Sequence, residues 1–137
     1  MSEPKPKDIP KKTENLVITC SDHRFQRMMS KLLRQDHQVD IERSDRLAIP
    51  GASQSVVEDG ALIRYIQTLH KLHDFENVLI IDHEECGAFP AYDDEQQEYQ
   101  AHFDSLSKAA AGIHQVLPKV VVVKFIATLD GELIQAS

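Results

Sequence analysis

Short apolar runs alternate along the chain with longer segments in which apolar residues recur at a helical period. The runs lie at 15–20 (NLVITC), 45–53 (DRLAIPGAS), 77–82 (NVLIID) and 119–128 (KVVVVKFIAT). Apolar runs of this length, bounded by turn residues, are typical of buried strands. Strands without a polar face predict a sheet that is covered on both sides.

The segments between the runs predict helices. Apolar spacing favours helices over 24–35, from about 53 to 72 and from about 99 to 117, and Pro118 would end the last one. Strands that alternate with helices predict parallel pairing. We therefore predict an α/β fold over residues 15–137, a mostly parallel four-stranded sheet flanked by helices.

Composition limits the cellular location and the binding partners that we expect for this domain. Residues 1–14 are rich in lysine, proline and glutamate, which predicts a flexible tail without the apolar core of a secretory signal. The formal charge of −7 disfavours nucleic acid. No apolar stretch approaches the roughly 20 residues that cross a bilayer. We expect a cytoplasmic protein that binds neither nucleic acid nor membrane and acts on a small molecule.

The two cysteines of the chain lie where predicted strands end. Cys20 ends the first strand, and His83 and Cys86 follow the third. Because ligands gather at the carboxyl ends of strands in an open parallel sheet, the three side chains would converge if these strands are neighbours. In a reducing compartment, such cysteines are better interpreted as thiolates or metal ligands than as a disulfide.

Two thiolates and one imidazole suit zinc, which prefers sulfur and nitrogen in a tetrahedron. Three protein ligands would leave a fourth position open, where bound water would lose its proton near neutral pH. Asp22 could accept a hydrogen bond from the resulting hydroxide, or occupy the fourth position itself. Arg24 could hold that carboxylate by a charge-assisted pair.

Other interpretations of these residues stay open. Cys20 and Cys86 could form a redox pair, although the chain lacks a Cys-x-x-Cys motif. A phosphatase-like cysteine loop is excluded, because it would need an arginine where the chain has Gln26. Glu84 and Glu85 are interpreted as a solvated helix start. The remaining histidines of the helical segments are interpreted mostly as solvent-facing residues: His37, His70, His73, His102 and His114.

The segments CSDHR (20–24) and HEECGA (83–88) together resemble the Cys-x-Asp-x-Arg and His-x-x-Cys-Gly signatures of the β-class carbonic anhydrases. The resemblance extends from about residue 15 to the end of the chain. It implies hydration of carbon dioxide to bicarbonate, a mostly parallel sheet flanked by helices, and a homodimer or larger assembly. It also implies zinc ligands and a dyad that gates the fourth position: Cys20, His83 and Cys86, with Asp22 and Arg24.

The loop after the second predicted strand departs from the family. Members usually have Arg-Asn-Ala-Gly there, whereas this chain has Ala-Ile-Pro-Gly at 48–51. We predict that Gly51, Ala52 and Ser53 line a small cavity above the zinc. A border formed by Ile49, Ala52 and Phe89 would be apolar and so compatible with carbon dioxide. The departure keeps two alternatives open. The protein could hydrolyse carbonyl sulfide or carbon disulfide, or it could be a non-catalytic zinc-binding module.

Overall fold

The computed structural model describes residues 3–137, and its strands and helices alternate as predicted. The strands are β1 (Asn15–Thr19), β2 (Asp45–Ala48), β3 (Asn77–His83), β4 (Val121–Ala127) and β5 (Leu133–Ala136). The helices are α1 (Gln26–His37), α2 (Ser53–Glu58), α3 (Gly60–His73) and α4 (Glu95–Val116). Short 3₁₀ turns span Pro6–Asp8, His23–Phe25 and Ile41–Arg43.

The strands form one sheet in the order β2-β1-β3-β4-β5. The first four pair in parallel, which confirms the predicted fold class. The predicted number of four strands is wrong, because β5 pairs antiparallel with β4. A turn at Gly131, where φ is 88°, returns the chain along the sheet edge. The strand that follows has only four, mostly half-buried residues, so it lacks the apolar run that marked the others.

The helix predicted over 53–72 is in fact two helices. Asp59 has an extended backbone, and its side chain accepts a hydrogen bond from the Ala61 amide, so it ends α2 and caps α3. The last helix begins at Glu95, earlier than predicted, because Asp94 caps it by accepting from the Gln97 amide. Both differences follow from capping aspartates rather than from the apolar period.

Alternate residues of the central strands enter two cores on opposite faces of the sheet. The core beside α2, α3 and α4 includes Leu16, Ile18, Val78, Ile80, Leu106 and Ile113. The core beside α1 includes Val17, Leu79, Ile81, Phe125, Met29 and Leu33. Complete burial of such a side chain contributes about 1.5–3 kcal/mol, so these two layers supply most of the driving force for folding.

The described part of the predicted tail contacts the end of α3. The Thr13 amide donates to the His73 carbonyl at 2.9 Å, and the Lys12 ammonium donates to the Asp74 carbonyl at 2.8 Å. The flexibility predicted for residues 1–14 remains a prediction, and Met1 and Ser2 lie outside the described residues. Across 3–137, no helix is both long enough and apolar enough to cross a bilayer.

The sheet order fixes where the candidate ligands meet. β1 and β3 are neighbours in parallel register, with Thr19 opposite Ile81. Cys20 directly follows β1, and His83 is the last residue of β3. Both residues therefore lie at the same carboxyl edge of the sheet.

Candidate metal centre

Three candidate ligands meet at the carboxyl edge of β1 and β3. The ligand atoms of Cys20, His83 and Cys86 all lie within 4.8 Å of one another. The two Sγ atoms are 3.9 Å apart, and neither cysteine is in a disulfide. The three residues are between 3% and 8% exposed. This cluster could hold one metal ion.

The orientation of His83 fits a metal ligand. Its Nδ1 lies 2.7 Å from the Glu84 carbonyl oxygen, which can only accept, so Nδ1 carries the proton. Nε2 then has a free lone pair, and this buried atom has no hydrogen-bond partner within 3–137. The Phe25 ring stacks on the imidazole at 4.3 Å and fixes its plane. Because an unpaired buried polar atom costs about 1–3 kcal/mol, a metal beside Nε2 explains an arrangement that is otherwise unfavourable.

The loop after β1 is held by its own side chains. Asp22 caps the turn His23–Phe25 by accepting from the Arg24 amide at 3.0 Å. The side-chain amide of Gln26 donates to the carbonyls of Cys20 and Asp22, at 2.9 and 3.1 Å. The first candidate ligand and the neighbouring carboxylate are thus fixed relative to each other.

Asp22 and Arg24 form the predicted pair. The guanidinium Nε lies 3.1 Å from both carboxylate oxygens, and Nη2 lies 2.7 Å from Oδ2. Hydrogen bonds from the Arg24 side chain, then from its backbone, hold the pKa of Asp22 well below its usual range. Asp22 Oδ2 is also 3.8 Å from His83 Nε2. The carboxylate therefore pairs with Arg24 and still lies at the edge of the ligand cluster.

Burial sets the protonation of the second thiol. Removal from water, followed by smaller effects that include the nearby Cys20, raises the pKa of Cys86 to about 11. The thiol is then neutral at pH 7 when no cation is near. A divalent cation favours the thiolate strongly, so metal binding at this site would release a proton.

The segment between β3 and Cys86 is a turn, so the helix start predicted at Glu84 and Glu85 is wrong. Glu85 has a positive φ of 54°, which a helix does not allow. The Glu84 carboxylate accepts from the Leu129 amide at 2.9 Å, and the Glu85 amide donates to Glu98 at 2.7 Å. These bonds tie the turn to the loop after β4 and to α4.

A cavity of about 500 Å³ adjoins the ligand cluster. Gly51 lines it as predicted, whereas Ala52 and Ser53 are fully buried behind its wall. The reason is local: positive φ angles at Gly51 (74°) and Ala52 (47°) turn the chain inward before α2 begins. A Cβ at Gly51 would lie only 2.8 Å from Ala88 Cβ. The other two predicted border residues lie elsewhere: Ile49 packs against the core beside α2, α3 and α4, and Phe89 lines a second cavity of about 990 Å³, which Cys86 also lines.

Asp82 and His102 are the residues that the sequence reasoning missed. His102 is fully buried rather than solvent-facing, and its Nδ1 lies 2.8 Å from Asp82 Oδ2. The sequence did carry a signal, because His102 precedes Leu106 by four positions and so shares its apolar helix face. Asp82 was visible as a lone charge at the end of an apolar strand.

Comparisons with known proteins agree with this fold. Residues 10–136 match the family described as "putative carbonic anhydrase", and the chain belongs to that family. An uncharacterized protein of Rickettsia bellii is 32% identical over 129 residues, which cover 85% of this chain and 77% of that protein.

Two solved structures show the same architecture at low sequence identity. β-Carbonic anhydrase isoform I of Trichomonas vaginalis is 11% identical, with a TM-score of 0.63 over 93% of this chain and 85% of its own. The apo form of a carbon disulfide hydrolase is 15% identical, with a TM-score of 0.52 over 90% of this chain and 78% of its own. The resemblance to β-class carbonic anhydrases is confirmed for family and fold.

Proposed function

We propose that the protein is a zinc-dependent enzyme that hydrates carbon dioxide to bicarbonate. One observation carries the proposal: the Cys20, His83 and Cys86 cluster lies beside an ionised carboxylate that an arginine holds in place. Membership of the carbonic anhydrase family supports the same reaction.

The donor set and its spacing favour zinc. Two thiolates at about 2.3 Å from one tetrahedral zinc ion lie about 3.8 Å apart. The Sγ atoms of Cys20 and Cys86 are 3.9 Å apart. When bound, zinc with one open position supplies Lewis-acid chemistry that activates water near neutral pH.

The side chains of the chain itself would orient the reaction. Asp22 is charged at neutral pH, as a free aspartate would be, and hydrogen bonds from Arg24 hold the pKa of its carboxyl group well below its usual range. Its Oδ2 lies at the edge of the cluster, so it can accept a hydrogen bond from the attacking water and direct the oxygen lone pair toward the substrate. Arg24 prevents the carboxylate from rotating away.

The cavity suits a small apolar substrate. Part of its lining consists of residues without polar side chains: Pro50, Gly51, Gly87 and Ala88. Carbon dioxide has no dipole and needs no hydrogen-bond donor to enter such a space. We further propose that the enzyme is a cytoplasmic homodimer or larger homo-oligomer, since most oligomers of soluble proteins are symmetric assemblies of identical chains.

Metal analysis combined with stopped-flow carbon dioxide hydration tests this function. We expect about one zinc ion per chain and acceleration of hydration over the buffer. Asp22→Ala should keep the zinc and lose about 10–100-fold in rate, because Asp22 orients rather than holds the metal. Asp104→Ala, on exposed α4 surface, serves as the matched control. Full zinc occupancy without acceleration between about pH 7 and 9 contradicts the proposal.

The apolar wall also favours a second candidate, hydrolysis of carbon disulfide or carbonyl sulfide. The fold shared with a carbon disulfide hydrolase is compatible with it. A sulfide-release assay separates the two reactions, since carbon dioxide hydration releases no sulfide. A protein that holds zinc and catalyses neither reaction would be a non-catalytic zinc-binding module. In that case Asp22→Ala should leave zinc binding nearly unchanged.

A further inference from the structure

A buried carboxylate lies directly behind the metal centre. Asp82 precedes His83 on β3 and is 1% exposed. It accepts hydrogen bonds from the Ser53 amide at 3.0 Å, the Ser53 hydroxyl at 2.6 Å and His102 Nδ1 at 2.8 Å. Apolar residues of similar volume often replace such buried polar groups without loss of stability. Stability alone therefore gives no reason for a carboxylate here.

One side of this network reaches the cavity wall. Ser53 is the first residue of α2, and the two residues before it both have positive φ. Ala52 is strained in that conformation, since its Cβ disfavours it. The two bonds from Ser53 to Asp82 hold the strained turn and keep Gly51 against Ala88.

The other side reaches the turn that carries Cys86. The His102 ring contacts the Phe89 ring, with centroids 4.2 Å apart, and the Phe89 amide donates to the Cys86 carbonyl at 3.0 Å. His102 Nε2 is buried and has no hydrogen-bond partner in the described chain. A hydrogen bond to Asp82 thus holds the His102 ring, and this ring packs against Phe89 in the turn that carries Cys86.

We propose that Asp82 is a positioning residue, a single carboxylate that fixes the cavity wall at Gly51 and the turn at Cys86 relative to His83. Asp82 does not line the cavity beside the ligand cluster, and it acts through Ser53 and His102. Loss of this carboxylate should disturb the geometry of the metal ligands more than it lowers the stability of the fold.

The experiment measures metal binding in the variant Asp82→Asn, which keeps the shape but replaces one acceptor oxygen by an amide donor. We expect zinc affinity, measured by competition with a chromophoric chelator, to fall about 10–100-fold. The visible absorption spectrum of the Co²⁺-substituted protein should change, because the thiolates no longer hold the same geometry. Carbon dioxide hydration should fall as well, and this last readout rests on the proposed function.

A core variant on the other face of the sheet separates positioning from simple destabilisation. Val39→Ala removes buried methyl groups in the core beside α1 and should lower the melting temperature without changing zinc affinity or the Co²⁺ spectrum. If Asp82→Asn loses stability like this control and keeps wild-type zinc affinity and spectrum, the proposal is overturned.

A second variant covers the case in which Asp82→Asn does not fold. His102→Gln removes the ring that links Asp82 to Phe89, and we expect about a tenfold loss of zinc affinity. Unchanged affinity overturns the proposal.

Zinc affinity is measured without substrate, so wild-type protein that binds zinc but hydrates no carbon dioxide contradicts the proposed function alone. Wild-type protein that binds neither zinc nor Co²⁺ contradicts both.

Discussion

Arg24 controls where the Asp22 carboxylate points rather than whether it is charged. Both carboxylate oxygens are within 3.1 Å of the guanidinium, and the pKa of Asp22 is held well below its usual range. A free aspartate, with a pKa of about 3.9, would already be ionised at neutral pH. The pair therefore supplies orientation, which is the property that a group directing an attacking water needs.

Arg24→Ala should lower the rate of carbon dioxide hydration about 10–100-fold, by the same factor at every pH between about 7 and 9. In this variant the pKa of Asp22 rises only toward its ordinary value, so the carboxylate stays charged over that range and only its orientation is lost. Stopped-flow rates across the range measure this, with Arg27→Ala, an exposed arginine of α1, as control. A loss that disappears at the alkaline end would contradict the interpretation.

At the scale of elements, the turn between β2 and α2 places the cavity wall. Its apolar residues, Ala48 to Pro50, give no sign that the chain reverses inward at Ala52. The positive φ at that residue buries Ala52 and Ser53, and a residue with a Cβ rarely adopts it. The sequence could therefore predict Gly51 at the cavity but not the burial of its two neighbours.

Gly51→Ala should reduce both stability and carbon dioxide hydration. The new Cβ would lie 2.8 Å from Ala88 Cβ and would also suffer the strain of a positive φ, which costs about 1–3 kcal/mol. Gly131→Ala is the matched control, since Gly131 has a φ of 88° but an added Cβ would meet nothing within 4 Å. Thermal unfolding should show a loss in both variants, and the hydration rate should fall only in Gly51→Ala. Equal rates in the two variants would show that the wall is not part of the site.

For the whole molecule, the order of apolar runs was sufficient to predict the parallel sheet and the edge where Cys20 meets His83 and Cys86. The reason is general, because a ligating residue directly after a buried strand must lie at the carboxyl edge of the sheet. The edge strand β5 could not be predicted in this way, since its few residues are only partly buried. The burial of His102 could have been predicted, because the residue lies on the apolar face of α4.

The metal-free protein should lose stability as the pH rises from about 9 to about 11. Burial raises the pKa of Cys86 from 9.0 to about 11, so folding favours the neutral thiol. That contribution is complete below the unfolded-state pKa and is lost as the pH rises through the folded-state pKa. Urea unfolding of metal-free protein at several pH values measures the effect. The metal-free Cys86→Ser variant lacks the thiol and should not show this part of the loss; identical pH profiles for the two proteins would contradict it.

X-ray absorption at the zinc edge of the purified protein tests the central claim most directly, namely that Cys20, His83 and Cys86 surround one zinc ion. We predict two sulfur neighbours at about 2.3 Å and nitrogen or oxygen neighbours at about 2.0–2.2 Å, in a four-coordinate site. A spectrum with no sulfur neighbour, or with the six oxygen neighbours of an adventitious surface ion, would contradict the account.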